Sequence, residues 1–266
     1  MSIPETWHHG LVADWWAEFN HDGPEIEYFK RFVESGEPAL DAGCGTGRLL
    51  IPYLRAGLDV DGCDASADMI GRCREKAELE GFAPNLYVQR LAELDLPRRY
   101  RTIVVCGAYG LGSDRHRDLA ALSRFHEHLE PHGTLVLDIE VPYANTRHWA
   151  LWAKASRVAL PEPAIAPRSR KRVADGSELG LSVRVVELDP LEQTQILEIH
   201  AERWRDGALE AEETHRLNIN LYFKNELVLM LEQAGFGDIQ IYGDHNDAAP
   251  TGDDDFLVLA ARRKNS

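Results

Sequence analysis

The sequence predicts an α/β fold, a doubly wound and mostly parallel sheet interrupted by an inserted antiparallel β meander. Three observations carry that expectation. From residue 38 to 141, short β-prone runs alternate with apolar patterns of helical period, which implies βαβ units. One of those runs, Ala39–Ala42, enters a bend with glycine at 43, 45 and 47, and a helical segment follows. From 142 to 221 the helical period gives way to long strand-like runs, joined at Asp189-Pro190 and Asp206-Gly207.

Taken in order, Leu11 to Glu34 reads as two short helices divided by Gly23-Pro24, the second presenting Ile26, Phe29, Phe32 and Val33. Trp15, Trp16, Phe19 and Tyr28 in this stretch either pack on the core or cover a ligand. Beyond the glycine bend, Leu49, Leu50, Tyr53 and Leu54 form a helical apolar face, with Pro52 a point where it can bend. Asp59–Asp64 is the second strand. Ser66 then caps a helix containing Met69, Ile70, Cys73 and Leu79, ended by Gly81. Leu86–Gln89 and Thr102–Cys106 are further strands. A helix through Leu119, Leu122, Phe125 and Leu129 stops at Pro131 and Gly133, before a strand at Thr134–Ile139.

Residues 141–167, rich in proline and aromatics, read as an irregular excursion. Leu179–Leu188, Gln193–Arg205 and Ala208–Tyr222 form the meander. Asn225 is placed to cap a last helix through Leu227, Met230 and Leu231, stopped at Gly235, and Ile239–Tyr242 and Phe256–Ala261 are two closing strands. The expected division is a helical cap over 1–37, a ligand-binding α/β domain from 38–141 and 222–266, and an inserted β region over 142–221.

Composition narrows the function. With 44% hydrophobic and 27% charged residues, the 266-residue chain resembles an ordinary globular protein. It has no apolar run of the roughly 18 residues that a membrane span needs. Its first residues show neither a basic leader nor a continuous apolar stretch, so a cytoplasmic protein with no membrane partner is expected. A net charge of −15 repels phosphate backbones, which argues against nucleic acid. The basic run Arg168, Arg170, Lys171 and Arg172 reads as the solvated edge of a strand rather than an anion site. Cys44, Cys63, Cys73 and Cys106 form no CxxC pair, and the eleven histidines form no HExxH pattern, so no metal is expected.

The chemistry is concentrated in ALDAGCGTGRLL, residues 39–50. Glycine serves where a backbone bends tightly and where a ligand must approach the main chain. A dinucleotide site would continue GxGxxG, but Arg48 holds the sixth position and Asp41 precedes the first glycine. A carboxylate there disfavours a pyrophosphate and suits a cation. S-adenosylmethionine, with its ammonium and sulfonium and no phosphate, fits that electrostatic description better than a nicotinamide dinucleotide. Asp64, ending the second strand, is placed to meet ribose hydroxyls as well as to cap the next helix.

DAGCGTGR, VDGCDASADMI, HEHLEPHGTLVLD and LVLMLEQAGF together resemble the class I S-adenosylmethionine-dependent methyltransferases, over roughly residues 25–141 and 222–262. The resemblance implies a Rossmann-like, seven-stranded sheet with a reversed last strand. It also implies that Asp41 and Gly43, with Cys44 in the bend, hold the amino-acid end of the cofactor and that Gly45 lies against it. Asp64 would take the ribose, Ala65 and Met69 would flank the adenine, and Cys106 with Gly107 would lie under the methionine chain. Members commonly carry an acidic residue after the third strand to meet the adenine amino group. Here the segment is Gln89-Arg90-Leu91-Ala92-Glu93, in which Leu91 and Ala92 offer apolar contacts and only Glu93 is acidic.

The expected reaction is methyl transfer to oxygen or nitrogen of a small molecule. Such a displacement needs alignment and exclusion of water, and a base only where the acceptor must lose a proton. By position, the candidate catalytic residues are Glu140, Tyr143 and His148 after the fifth strand, Tyr109 after the fourth and His245 after the sixth. His126, His128 and His132 are expected on a surface, and His8 and His9 in a mobile terminus. The inserted sheet resembles that of natural-product methyltransferases such as sugar N-methyltransferases, where it helps build the acceptor pocket. An apolar sheet face needs cover, so a homodimer through the insert is one expected arrangement. The rival readings are a nicotinamide-dependent oxidoreductase and a non-enzymatic S-adenosylmethionine-binding protein.

Overall fold

β1 (Ala39–Ala42) is buried along its whole length, as a central strand covered on both faces must be. The computed structural model describes residues 6–164, 166–167 and 169–264. β1 pairs in parallel with β2 (Val60–Asp64) on one side and β4 (Tyr100–Val105) on the other. β3 (Leu86–Val88) lies beyond β2, and β5 (Leu129–Glu140) beyond β4. β11 (Phe256–Arg263) runs antiparallel to both β5 and β10 (Phe236–Gly243). The resulting order is β10-β11-β5-β4-β1-β2-β3, seven strands with one reversed.

Alternation along these strands feeds two apolar layers. Leu40, Ile103, Leu135, Leu137, Leu257 and Leu259 pack with Leu122 and Phe125 of α5 (Arg115–His128) and with Leu227 and Leu231 of α8 (Lys224–Gln233). Their neighbours Ala39, Val104, Val136 and Val258 face the other way. There they meet Phe29 and Val33 of α2 (Glu25–Ser35), Leu50 and Tyr53 of α3 (Leu50–Arg55), and Cys73 of α4 (Ala67–Leu79). The chain crosses from β3 back to β4 beside β1, so the strand order reverses between β1 and β4, and ligands bind at such a switch point.

The insertion is a second antiparallel sheet of β6 (Arg170–Arg172), β7 (Glu178–Asp189), β8 (Thr194–Arg205) and β9 (Ala208–Asn220). Its apolar face, with Leu179, Ile199, Ala201 and Leu217, is covered by Trp7 and by Leu11 and Val12 of α1 (Gly10–Phe19). α1 thus covers this face of the inserted sheet within the chain. Arg184 and Arg216 pair with Glu198 elsewhere on this sheet. Arg170, Lys171 and Arg172 are exposed on the edge strand, as expected, while Arg168 falls outside the described residues. The insert leans on the loop after β4. Asn220 N donates to Gly110 O at 2.9 Å, Gly112 N to Asn218 O at 2.8 Å, and buried Asp118 accepts from Asn220 Nδ2 at 2.7 Å and Tyr222 Oη at 2.6 Å.

Local details depart from the sequence reading for identifiable reasons. The excursion at 141–167 contains α6 (Thr146–Ala150) and α7 (Lys154–Arg157), the first capped by Asn145, which accepts from the N–H of Arg147 and His148. β5 begins at Leu129, before Pro131 and Gly133, because these residues occupy an irregularity opposite the Tyr100–Thr102 stretch of β4. Pro52 stands in the first turn of α3, where a missing N–H costs nothing, so the helix runs through it. α8 is preceded by Phe223 with no side-chain cap, and Asn225 lies inside its first turn. His128 is buried, not exposed: Leu96 N donates to its Nε2 at 3.0 Å, and its Nδ1 lies 2.8 Å from the Arg124 carbonyl.

Candidate active site

The glycine bend is anchored to β2 by hydrogen bonds that only a tight turn allows. Gly43 N and Cys44 N both donate to the Cys63 carbonyl, at 2.8 and 2.9 Å. Gly43 has φ +84°, and a Cβ there would stand 2.3 Å from the Ala108 Cβ, so the bend and the loop after β4 close on each other only around glycine. Gly45, at φ +53°, differs: a Cβ would meet nothing within 4 Å. Its N–H donates to Asp64 Oδ2 at 3.0 Å, while Ser66 N donates to Asp64 Oδ1 at 2.8 Å. Asp64 thus serves the start of α4, with Ser66 as the residue whose hydroxyl caps the helix on Met69 N.

A cavity of about 440 Å³ opens over this bend, at the switch point between β1 and β4. Asp41, Gly43, Cys44, Gly45, Asp64 and Ala65 line it, as do Met69, Leu91, Ala92, Cys106 and Gly107. Every residue that the sequence nominated for the cofactor therefore falls on one surface. Glu93 is exposed and is not among the lining residues, whereas Arg90 is.

Asp41 is the feature that needs a ligand. It is 3% exposed, its Oδ2 has no hydrogen-bond partner, and burial together with the nearby Asp64 raises its carboxyl to about 7, against a partly offsetting bond from the Leu50 N–H. A buried carboxylate of this kind is satisfied by a cationic donor. Burial also raises the Asp64 carboxyl, offset by the Ser66 and Gly45 N–H groups. Arg48 reaches the same cavity but is ion-paired with Glu25, and its Nη2 lies 3.5 Å from Cys106 Sγ. An ammonium-bearing nucleoside fits these residues, and a diphosphate does not.

Residues 6–20 complete the cavity wall, His8 and His9 among them, which the sequence alone places in a mobile terminus. Thr6, His8, His9, Trp16 and Asn20 all line it. The Ser66 hydroxyl donates to the His8 carbonyl, Gly10 N to Asp68 Oδ2 at 2.8 Å, and Leu11 N to Glu213 Oε2 at 2.9 Å. The strap is thereby tied to α4 on one side and β9 on the other. Trp7 Nε1 donates to His8 Nε2 at 2.9 Å, which requires a neutral imidazole, and burial lowers the His8 proton affinity to about 4. Of the four aromatics in question, Trp16 lines the cavity, Trp15 and Phe19 pack with the inserted sheet, and Tyr28 joins the main core. No local pattern distinguishes Trp16 from Trp15, so only the fold separates them.

A second cavity, of about 220 Å³, shares Gly107 and Leu111 with the first and lies between the ends of β4 and β5 and the inserted sheet. Tyr109, Glu140 and His148 line it. Tyr109 is committed elsewhere, donating to the Asp118 carbonyl at 3.1 Å, and burial beside Tyr222 and Asp118 raises its hydroxyl well above the usual value. Glu140 has its proton affinity raised by partial burial and by Asp255, and burial lowers that of His148. Tyr143 is turned away from the site, exposed against the ring of Trp149 at 6.1 Å. His245 is buried behind the cavity with Nε2 2.8 Å from Asp138 Oδ2, while Asp138 Oδ1 accepts from Gly107 N at 2.6 Å. It buttresses the shared loop and does not line either cavity.

The chain resembles known proteins in sequence and in fold. Residues 39–133 match the family described as a methyltransferase domain. Over 141 residues the chain is 28% identical to a putative methyltransferase of Geobacillus sp. (strain WCH70), a match that spans 49% of this chain and 57% of that relative. Whole-chain likeness appears in the fold: the CcbJ methyltransferase of Streptomyces caelestis superimposes with a TM-score of 0.72 at 21% identity, covering 98% of this chain and 99% of that one. The sugar N-methyltransferase KedS8 of Streptoalloteichus sp. gives a TM-score of 0.66 at 18% identity, covering 99% of each. The fold, inserted sheet included, is shared along almost the whole chain with these two methyltransferases. Among the described residues, no helix of this domain or its insert is long and apolar enough to cross a membrane, and no group of three metal-ligating side chains is present.

Proposed function

We propose that this methyltransferase binds S-adenosylmethionine in the larger cavity and methylates a small molecule held in the second. Asp41 carries the reading: an unpartnered carboxylate oxygen, buried at a glycine-lined bend, attracts an ammonium and repels a diphosphate. When bound, the cofactor supplies a methyl group activated on a positively charged sulfur. In this reading Asp41, Gly43 and Cys44 hold its amino-acid end, with Gly45 against it. Asp64 takes the ribose: each of its oxygens accepts one backbone N–H and keeps a lone pair for a hydroxyl. Ala65, Met69, Leu91 and Ala92 flank the adenine, and Cys106 and Gly107 lie along the methionine chain. Residues 38–141 and 222–266 act as the cofactor domain, 1–37 as its cap and 142–221 as the acceptor region.

The acceptor reading follows from the second cavity. Glu140 attracts a basic nitrogen that enters as an ammonium, and His148, neutral near physiological pH, is suited to take its proton before the lone pair attacks. Trp152, Leu188 and Phe256 add apolar wall, which limits water at the reacting centre. Likeness to a sugar N-methyltransferase supports nitrogen over oxygen. Calorimetry with S-adenosylhomocysteine and NADH tests the cofactor assignment: the expected outcome is binding of the first and none of the second. NADH binding alone would revive the oxidoreductase reading. Cofactor binding without methylation of any amine or alcohol in a broad library would favour the non-enzymatic one.

A further inference from the structure

Gln195, on β8 of the inserted sheet, carries information about the acceptor that no residue of the glycine motif holds. It lines the second cavity, is 4% exposed, and its Nε2 has no hydrogen-bond partner. The orientation of the amide is set chemically. Arg115 Nη2 lies 2.8 Å from Gln195 Oε1, and a guanidinium has only donors, so the amide oxygen faces Arg115 and the NH2 is the free end. Arg115 is itself held: Nη2 also donates to the Leu221 carbonyl at 3.0 Å, Nη1 pairs with Glu226 at 2.7 Å, and the guanidinium stacks 4.5 Å over the Tyr222 ring. The side chain is therefore clamped at one end and unsatisfied at the other. A buried NH2 group without a partner is costly to maintain, and its natural complement is an oxygen.

We infer that Gln195 is a specificity-determining residue, and that its Nε2 donates to a hydroxyl, ether or carbonyl oxygen of the acceptor, apart from the atom that is methylated. The inference rests on the reading of the second cavity as the acceptor site. The acceptor is then a bifunctional molecule: a nucleophilic nitrogen near Gly107 and the shared wall, and a hydrogen-bond-accepting oxygen at the inserted sheet. This gives the insertion a role in recognition, because β8 contributes a donor that the α/β domain alone lacks at that place. Rejection of an analogue without the oxygen follows, since such a molecule leaves the amide unpaired when it excludes water.

The test compares cyclohexylamine with the 2-, 3- and 4-aminocyclohexanols as acceptors, reading S-adenosylhomocysteine release. The wild type is expected to use at least one aminocyclohexanol with a kcat/KM at least tenfold above that of cyclohexylamine. Gln195→Glu keeps an oxygen facing Arg115 and replaces the free donor with an acceptor. It is expected to lose that preference through KM, with kcat, the thermal midpoint and S-adenosylhomocysteine affinity unchanged. Equal use of the deoxygenated amine by the wild type, silence of all the aminocyclohexanols, or a preference that survives in Gln195→Glu overturns the inference. Failure of the wild type to bind S-adenosylhomocysteine overturns the cofactor reading instead, so the two failures are distinguishable.

Discussion

Asp64 and Gly45 are joined by a hydrogen bond of 3.0 Å from the Gly45 N–H to Asp64 Oδ2, which ties the bend after β1 to the end of β2. Two motifs that are separate in the chain thereby form one rim of the cavity. Gly45→Val forces a side chain into left-handed backbone, at a cost of about 1–2 kcal/mol, and projects it into open cavity. Asp64→Ala frees both the Gly45 and Ser66 N–H groups. Both variants are expected to fold, by circular dichroism, and to lose cofactor binding, by calorimetry. Unchanged affinity in both would refute the location of the site.

Asp41→Asn removes the buried charge. Binding of an ammonium-bearing cofactor should weaken by roughly 1.5–3 kcal/mol, the range for a hydrogen bond to a charged group. The variant should unfold at an equal or higher temperature than the parent, because an uncompensated buried carboxylate is lost. A variant that binds S-adenosylhomocysteine as tightly as the parent would show that Asp41 does not meet the ammonium.

The same residue predicts a pH dependence. In the free protein burial and Asp64 hold the Asp41 carboxyl at about 7, and pairing with a cation requires its ionised form. Affinity should therefore rise as pH increases through 7 and level off above it, with a proton released on binding below that plateau. Calorimetry in buffers of different ionisation enthalpy measures that proton, and Asp41→Asn should abolish its release.

His148 should set the rising limb of the pH–rate profile. Its proton affinity is lowered from the ordinary value of 6.5 by burial, so the neutral form needed to accept a proton accumulates below that pH. His148→Ala is expected to reduce kcat by about 10²–10⁴-fold and to remove the limb, while S-adenosylhomocysteine binding persists. A rate unchanged by this substitution, with Glu140→Gln inactive, would move the base to Glu140.

Acid should loosen the amino-terminal strap before the rest of the fold. His8 accepts a proton less readily folded than unfolded, with a value of about 4 against 6.5, so its neutral form contributes stability above pH 6.5 that is lost as pH falls towards 4. Hydrogen exchange at Leu11, Val12 and Ala13 should accelerate across that window, while exchange in β1 and β4 stays slow. Uniform exchange rates through both regions would show that the strap is not a separate unit.

Several features were legible in the sequence because they depend on local chemistry. Glycine at 43 and 45 is dictated by backbone conformation, Ser66 by the need to satisfy a helix terminus, and the alternation of Leu40, Ile103, Leu135 and Leu257 with Val104, Val136 and Val258 by burial of both sheet faces. Those constraints act within a few residues and led to the α/β class, whereas the reversed strand and most of the eleven nominated residues that line the larger cavity were implied by resemblance to a methyltransferase family. Other features were decided only by tertiary contact. Trp16 differs from Trp15 by the direction α1 presents to α4 and the inserted sheet. His128 is buried because Leu96 crosses it. Gln195 becomes informative only when Arg115, 80 positions earlier in the chain, takes its oxygen and leaves its nitrogen facing a cavity. A polar side chain's role is set by which partners it lacks once folding has brought the rest together, and a linear sequence does not state that.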